Sequence, residues 1–268
     1  MRVCLEKLEK LKLIIRMLRS VLVAYSGGAD SSLLLKTASD VLGRNVLAVI
    51  ATSPTYTKSE LREAADFCKK HKIKHQVIAT EELNNPHFTK NPKNRCFYCK
   101  DELFSRLKKI AKAHNIKYVL DGTNYDDRLD YRPGATAKEK HNVRSPLKEA
   151  KLTKQDIRTL SKEMGLSTWN KPSLACLASR FPYKSAITEN ALTRINKAED
   201  FLRKAGFSQV RVRHYNSLAR IEVPKDEIRH FLTLDKTKIV HKFKKLGYNY
   251  VTLDLEGYRS GSMNEMIN

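Results

Sequence analysis

The chain has 268 residues, 41% of them hydrophobic and 30% charged, which is enough apolar material for one large domain or a medium domain with an appendage. Its apolar runs are too short to cross a bilayer, and its amphipathic, charge-rich start is unlike a signal peptide, so we expect a cytoplasmic protein. The formal charge of +22 would attract polyanions such as tRNA, but the lysines are spread over nearly every predicted helix, which is equally typical of a Lys-rich surface.

Strands and helices alternate in the first part of the chain. Amphipathic stretches predict helices, one of them beginning at Ser59 as its cap and another at 101–114, just after a cysteine pair. Four short apolar runs predict strands, at 21–25, 45–51, 74–79 and 117–122. This alternation is typical of a parallel sheet covered on both faces. We therefore predict an α/β fold with a doubly wound parallel sheet for residues 1–168.

The remainder, residues 169–268, predicts a smaller α+β domain. An irregular segment is followed by a helix at 189–206, two short strands, two short helices and a final strand. We expect the last stretch, YRSGSMNEMIN, to be a loose tail.

Polar sequences follow three of the predicted strands, at the edge where parallel sheets bind their ligands. After the first strand, SGGADS combines paired glycines, which turn the backbone, with the hydroxyls of Ser26 and Ser31 and the start of a helix. These features together hold an anion such as phosphate, and Asp30 is placed to bind Mg²⁺ against it. TSPT and DGTN follow the second and fourth strands, so we expect three pieces of chain to line one crevice.

The five cysteines show no disulfide-framework spacing, which favours a reducing compartment. Cys96 and Cys99 supply only two of the four ligands of a structural zinc, and Cys176 is a further cysteine in a loop-like context. Three thiolates with an open fourth position suit a [4Fe-4S] cluster that binds an exogenous ligand. The alternatives are a zinc site completed by histidine and three cysteines that transfer persulfide. Cys4 and Cys68 are predicted to be small buried hydrophobes.

SGGADS resembles the PP-loop, SGGxDS, of the ATP pyrophosphatase family, and it lacks the Lys-[ST] ending of a Walker A loop. Members of that family cleave ATP between its α- and β-phosphates and leave an adenylated substrate. The resemblance implies ATP and Mg²⁺ as cofactors. It also implies the following nucleotide contacts: Ser26, Gly27, Gly28, Asp30, Ser31, Ser53, Thr123 and Asn124.

A second resemblance runs from about residue 18 to residue 230. It is carried by RCFYCK, DGTNYDDRLDYRPG, SPLKEAKLTKQDIR, KPSLACLASR, ENALTRINKAEDFLRKAGF, RVRHY and LARIE, which are similar in order and spacing to the LarE family of ATP-dependent sulfur transferases. Members convert the carboxylates of pyridinium-3,5-dicarboxylate mononucleotide into thiocarboxylates, for the nickel-pincer nucleotide of lactate racemase and its relatives. The resemblance implies an adenylating, pyrophosphate-releasing enzyme that assembles as a homo-oligomer.

Two sulfur sources are known in that family. In one subgroup the cysteine of ACLASR gives up its own sulfur and becomes dehydroalanine. In the other, three cysteines hold a [4Fe-4S] cluster that carries a labile sulfide. The presence of Cys96, Cys99 and Cys176 resembles the second subgroup, with Cys176 and Asp30 in catalytic positions.

The resemblance also implies where the substrate binds. Its phosphate is expected to meet Ser179, Arg180, Arg211 and Arg213. Further residues match acidic or loop positions near the substrate or the ATP crevice: Glu199, Glu222, Asp126, Asp127, Asp130 and Arg132. FPYKSAIT departs from the family pattern, because Lys184 stands where a glycine is expected.

Two other functions compete with this prediction. A tRNA 2-thiolation enzyme of the TtcA kind also combines a PP-loop, a C-x2-C pair, a distant third cysteine and a [4Fe-4S] cluster, and the charge of +22 favours it. A nucleotide-binding sensor would bind ATP without cleaving it. The ACLASR and RVRHY elements favour the LarE family over the first, and the retained Asp30 and three cysteines argue against the second.

Overall fold

A computed structural model describes residues 2–129, 134–172, 175–259 and 261–267. The chain forms two compact units, the first made of residues 1–82 and 94–174 and the second of residues 83–93 and 175–268. The predicted domain boundary, residue 168, lies shortly before the point where the first unit ends.

The strands, in chain order, are β1 (Val21–Ala24), β2 (Val46–Thr52), β3 (His75–Ala79), β4 (Tyr118–Leu120), β5 (Arg211–Tyr215), β6 (Leu218–Glu222) and β7 (Tyr250–Leu253). The α-helices are α1 (Arg2–Leu18), α2 (Ala29–Leu42), α3 (Lys58–Lys70), α4 (Pro86–Thr89), α5 (Arg95–Ala113), α6 (Gly134–Lys140), α7 (Pro146–Glu149), α8 (Lys154–Glu163), α9 (Glu189–Lys204), α10 (Ile228–Thr233) and α11 (Lys236–Lys245). Within the described residues, no helix is both long enough and apolar enough to cross a membrane.

The first unit is built on a parallel sheet with the order β3-β2-β1-β4. Val21 of β1 pairs with Val46 of β2 on one side and with Tyr118 of β4 on the other. The chain adds β2 and β3 to one side of β1 and then crosses to place β4 on the opposite side. The strand order therefore reverses between β1 and β4, and α/β sheets bind their ligands at the carboxyl ends of the strands at such a point.

Helices cover both faces of this sheet. Val21 and Val23 belong to the same apolar cluster as Leu11 of α1, whereas Leu22 between them belongs to a second cluster with Phe104 of α5. Successive side chains of a strand point to opposite faces, so a strand buried on both sides needs an uninterrupted apolar run. The predicted α/β fold with a doubly wound parallel sheet is confirmed.

Two helices begin earlier than the sequence predicted. Thr57, not Ser59, caps α3, because the Thr57 hydroxyl accepts from the Glu60 amide at 3.2 Å and the Glu60 carboxylate accepts from the Thr57 amide at 2.8 Å. The prediction of Ser59 as the cap was wrong. Helix α5 begins at Arg95, so the cysteine pair lies inside its first turns and not ahead of them.

Segment 83–93 is joined to the rest of the second unit by hydrogen bonds. Asn91 is fully buried, and its side-chain amide nitrogen donates to the Pro182 carbonyl at 2.7 Å. The amides of Lys184 and Ile187 donate to the carbonyls of Asn91 and Thr89 at 2.9 and 2.8 Å. Lys184 has a φ of 67°, in the left-handed region that glycine adopts most easily. The turn thus keeps a glycine-like conformation although a lysine occupies it.

The sheet of the second unit has the order β5-β6-β7, with β5 antiparallel and β7 parallel to β6. Its core includes Leu202 of α9, Val212 of β5 and Phe243 of α11. The prediction of a loose C-terminal tail is wrong for residues 262 and 263, which lie in the described part of that stretch. Ser262 and Met263 are buried, and the Ser262 hydroxyl is hydrogen-bonded to buried side chains of β5 and β6.

His214 lies in the interior of the second unit with 7% of its surface exposed. Its Nδ1 is 3.2 Å from the Tyr248 hydroxyl, and its ring lies 5.1 Å from that of Phe181. Burial, and then the charge of Arg194, lower the pKa of His214 to about 4. The imidazole is therefore neutral in the folded protein at pH values where the unfolded chain begins to protonate it.

We expect Thr57→Ala to lower the free energy of unfolding by about 1 kcal/mol, because the first turn of α3 loses its cap. Ser59→Ala is the matched control and should cost clearly less, since its hydroxyl contacts Thr57 and not a backbone amide. Urea denaturation followed by circular dichroism measures both. An equal or larger loss in Ser59→Ala would contradict the capping assignment.

We also expect protonation of His214 to have no effect on the free energy of unfolding above pH 6.5. Between pH 6.5 and 4, this titration should lower the free energy of unfolding as the pH drops. The unfolded state takes up the proton first, because its histidine pKa is higher than the folded value of about 4. His214→Phe should flatten this part of the stability profile relative to the wild type. Urea midpoints measured every half pH unit test this, and parallel profiles would refute it.

Candidate functional site

The loop after β1 forms a closed turn whose polar groups face one another. The hydroxyls of Ser26 and Ser31 are 3.0 Å apart, and the Ser31 hydroxyl donates to the Gly28 carbonyl at 3.2 Å. Gly27 has a φ of 72°, and a Cβ there would lie 3.1 Å from the Cβ of Ala64 on α3. The positive backbone angle favours glycine at this position, and a side chain there would crowd Ala64. Asp30 follows as the second residue of α2.

The loop after β4 packs directly on this turn. A Cβ on Gly122 would lie 3.0 Å from the Ser31 amide nitrogen, so DGTN and SGGADS are in contact as the strand order required. The Thr123 hydroxyl donates to Asp121 at 2.6 Å and accepts from Lys138 at 2.8 Å. Asn124 is buried, and its side-chain amide nitrogen, Nδ2, has no hydrogen-bond partner among the described residues. A buried donor of this kind is available to a ligand.

The loop after β2 is held by a buried carboxylate that the sequence did not reveal. Glu82 is 1% exposed and accepts from the hydroxyls of Ser53 at 2.5 Å and Thr55 at 2.9 Å. The predicted contact residue Ser53 is therefore fixed by Glu82. No local pattern marks this acid, because it lies 29 residues along the chain from Ser53.

A crevice opens to solvent at the carboxyl ends of β1 and β2. Tyr25 and Ser26 bound it on one side, Tyr56 on the α3 side, and Lys100 and Leu103 on the α5 side. A mostly apolar cleft with a few polar groups is typical of a small-molecule site. The first unit thus places an open, partly apolar crevice beside the turn formed by residues 26–31.

Asp126 and Asp127 tie the loop after β4 to neighbouring backbone. The Asp126 carboxylate accepts from the backbone amide of Lys154, at the start of α8, at 2.8 Å. The Asp127 carboxylate accepts from the backbone amide of Asn124 at 3.1 Å. Both side chains order this loop in the structure. The predicted loop residues Asp130 and Arg132 lie outside the described residues.

Lys171 is a second contributor that the sequence analysis missed. Its Nζ donates to the Gly27 carbonyl at 3.1 Å and to the Glu63 carboxylate at 2.7 Å. A single lysine in a Lys-rich chain carries no signal, and its partner in the turn is 144 residues away. The structure therefore brings an ammonium group to the turn formed by residues 26–31, the predicted anion-binding turn.

The cysteines divide by exposure. Cys96 is exposed, Cys99 is half-buried one helical turn further along α5, and Cys176 is half-buried just before the 3₁₀ helix Leu177–Arg180. Cys4 and Cys68 are buried as predicted, and burial raises the pKa of Cys68 to about 12. The three predicted ligand cysteines are thus the accessible ones.

No group of three His, Cys, Asp or Glu side chains in the part of the chain that the structure describes is arranged to hold a metal ion. Cys96 and Cys99 belong to the first unit and Cys176 to the second.

Glu199 of α9 is the centre of a buried ion-pair network in the second unit. It is fully buried and accepts from Arg180 Nε at 2.8 Å, Arg180 Nη2 at 2.9 Å, Arg203 Nη2 at 2.8 Å and the Val212 amide at 3.0 Å. Burial alone would raise its pKa, but the charge and hydrogen bonds of Arg180 hold the pKa of Glu199 below its usual value. Glu199 is therefore a buried carboxylate anion.

Arg180 connects this anion to the loop that carries Cys176. Its Nη1 donates to the carbonyls of Ala175 at 2.6 Å and Cys176 at 3.1 Å and to the Ser179 hydroxyl at 2.9 Å. The predicted phosphate residues Arg180 and Ser179 are thus brought together next to Cys176. The guanidinium also fixes the backbone of that loop, a role that the sequence analysis did not foresee.

Arg213 makes a similar connection from β5. It donates to both carboxylate oxygens of buried Glu222 at 2.9 and 2.6 Å, to the Ser179 carbonyl at 2.9 Å and to the Ser262 hydroxyl at 2.9 Å. Arg211, two residues before it, is also buried, and its guanidinium lies 5.3 Å from the Tyr258 ring. Burial, and then repulsion from Arg180, lower the pKa of Arg211 to about 10.

Buried charged side chains gather in the second unit. Among its described residues, three arginines (Arg180, Arg211 and Arg213) and two glutamates (Glu199 and Glu222) are buried. Guanidinium groups bind phosphate through charge-assisted hydrogen bonds. The cluster therefore contains side chains of the kind that recognise an anionic ligand.

Comparison with known proteins gives consistent matches. A family model described as NAD synthase matches residues 7–127. An uncharacterized protein of Synechocystis sp. is 45% identical over 262 residues, 97% of this chain and 98% of its own length. The pyridinium-3,5-bisthiocarboxylic acid mononucleotide synthase of Lactiplantibacillus plantarum is 41% identical over 251 residues, 93% of this chain and 91% of its own. An uncharacterized protein of Methanocaldococcus jannaschii is 35% identical over 242 residues, 90% of this chain and 92% of its own.

We expect Glu199→Ala to lower the free energy of unfolding by about 3 to 5 kcal/mol, because it leaves buried Arg180 without its anion. Asp200→Ala is the matched control, since Asp200 is the next residue of α9 but pairs with Arg203 at the surface, and it should cost at most about 1 kcal/mol. The double change Arg180→Met with Glu199→Leu should cost less than Glu199→Ala alone. Urea denaturation measures all three, and similar losses for Glu199→Ala and Asp200→Ala would contradict the network.

Proposed function

This chain belongs to the LarE family of ATP-dependent sulfur transferases, and from that premise we propose that it converts the carboxylates of pyridinium-3,5-dicarboxylate mononucleotide into thiocarboxylates for a nickel-pincer nucleotide. The observation that carries the proposal is the 41% identity to a synthase of that product over nearly the full length of both chains. The geometry of each unit supports one half of the reaction.

The first unit supports ATP binding with Mg²⁺. The phosphates would meet the turn from Ser26 to Ser31, where hydroxyls, backbone amides and the start of α2 converge. Asp30, in the first turn of α2, would hold Mg²⁺ against them. The crevice beside the turn would take adenine and ribose, with Ser53 fixed by Glu82 and the donor of Asn124 available.

Adenylation makes the substrate carboxylate reactive. A carboxylate oxygen attacks the α-phosphorus, a P–O bond to the substrate forms, and the bond between the α-phosphorus and the bridging oxygen breaks. Pyrophosphate leaves with that electron pair, and the product is an acyl-adenylate. Its carbonyl is open to a sulfur nucleophile, with AMP as the next leaving group.

Exposure of the cysteines supports the thiolate-ligand proposal. Cys96, Cys99 and Cys176 would hold a [4Fe-4S] cluster, whereas buried Cys4 and Cys68, with raised pKa values, are poor sources of thiolate. When bound, the cluster would supply a labile sulfide at its fourth iron. The chain's own contribution is to fix the Cys176 loop through Arg180 and Arg213.

The second unit supports binding of the substrate phosphate. Ser179, Arg180, Arg211 and Arg213 lie close to the Cys176 loop or on β5, and their guanidinium and hydroxyl groups suit an anion. Arg180 and Arg213 each also bind a buried glutamate, so we propose that Glu199 and Glu222 orient the arginines.

The proposal is tested by measuring iron, acid-labile sulfide and the visible spectrum on protein purified without oxygen. We expect about four irons per chain in the wild type, loss of iron in Cys176→Ala, and retention in the control Cys4→Ala, whose thiol is buried. An iron-free wild type that cannot be reconstituted would contradict the cluster. Cys176 would then be a sacrificial sulfur donor, with zinc or persulfide roles for Cys96 and Cys99.

An assay of pyrophosphate release identifies the substrate. The release should require the dicarboxylate mononucleotide and should not change when tRNA is added. Release stimulated by tRNA alone would favour the 2-thiolation alternative, and ATP binding without any release would favour a sensor.

A further inference from the structure

The anion-binding turn contains no cation of its own. Residues 26–32 read SGGADSS, so their only charged side chain is the acidic Asp30. A Walker A loop brings a lysine to the terminal phosphates as part of the loop. A turn without one must neutralise a polyphosphate with backbone amides, a metal ion or a lysine from elsewhere in the chain.

Lys171 is held where such a lysine is needed. Its Nζ is 3.1 Å from the Gly27 carbonyl, inside the turn, and its side chain is only 16% exposed. Its backbone amide donates to the Thr168 carbonyl at 3.1 Å, which fixes the segment after α8 from which the side chain extends. The hydrogen bond of its backbone and the hydrogen bond of its Nζ together hold Lys171 at the turn.

The other partner of Lys171 is weakly bound. Glu63 on α3 lies 2.7 Å from Nζ, but its side chain is 58% exposed. Ion pairs with exposed carboxylates contribute little, because water and salt screen them. A phosphate with two or more charges would compete successfully for the same ammonium group.

We propose that Lys171 binds the β- and γ-phosphates of ATP, exchanging Glu63 for phosphate oxygens, and that it stays with pyrophosphate after cleavage. The inference rests on the proposed function, because it requires nucleotide at this turn. Lys171 neutralises the negative charge that develops on the bridging oxygen as its bond to the α-phosphorus breaks, and pyrophosphate leaves with the electron pair. No proton transfer is needed.

The test measures binding of Mg²⁺-pyrophosphate and of AMP separately, by isothermal titration calorimetry. Lys171→Met should weaken pyrophosphate binding by roughly 10- to 100-fold, since a charge-assisted contact is lost. AMP lacks the terminal phosphates, so its affinity should change by no more than about 2-fold. Lys171→Arg should retain most of the pyrophosphate affinity.

Two further variants distinguish ligand binding from a structural role. Glu63→Gln removes the competing carboxylate and should tighten pyrophosphate binding by up to about 5-fold. Lys36→Met is the matched control, because Lys36 is a similarly buried lysine paired with Asp40 on α2, and its change should leave pyrophosphate affinity within about 2-fold.

The outcomes distinguish failure of the Lys171 inference from failure of the proposed ATP site. Unchanged pyrophosphate affinity in Lys171→Met, or weaker binding in both Lys171→Met and Glu63→Gln, would overturn the inference while leaving the ATP site intact. A wild type that binds neither AMP nor pyrophosphate would overturn the proposed ATP site and the inference with it. If Lys171→Met does not fold, the direction of the change in Glu63→Gln still decides.

Discussion

The buried carboxylate of Glu199 is the interaction on which the second unit depends. Four donors converge on it, from the Cys176 loop, from α9 itself and from the edge of β5. In a low-dielectric interior a carboxylate stays ionised only when cations and hydrogen-bond donors compensate its charge. Removing one of these partners leaves a buried charge that destabilises the fold. The position of Cys176 is therefore coupled to the charge of a side chain that does not touch it.

The buried arginines combine two tasks. Arg180 and Arg213 hold the Cys176 loop by its carbonyls and by Ser179, and they also form part of a buried cluster of cationic side chains. A solvated strand face would have left them screened by water. Their burial makes each hydrogen bond directional and keeps the local field strong, which is what recognition of a phosphate requires.

In the first unit the constraint is topological. The strand order places the loops after β1 and β4 side by side, and a Cβ on Gly122 would lie 3.0 Å from the Ser31 amide nitrogen, so a larger residue would crowd the turn. The anion-binding turn is closed by these backbone contacts. Its cation then comes from Lys171, in the segment that follows α8, and the loop after β2 is held by Glu82.

The sequence by itself determined the features that are local. Apolar runs fixed the parallel sheet, SGGADS fixed the anion-binding turn, and the spacing of Cys96 and Cys99 marked a thiolate pair, because each depends on residues adjacent in the chain. Only the tertiary structure decided the partners of Glu82, Lys171 and Glu199, the burial of Arg211 and Arg213, and the order of the C-terminal stretch. These contacts join residues up to 144 positions apart, and no periodicity or local spacing encodes which distant charge a side chain will meet once water is excluded.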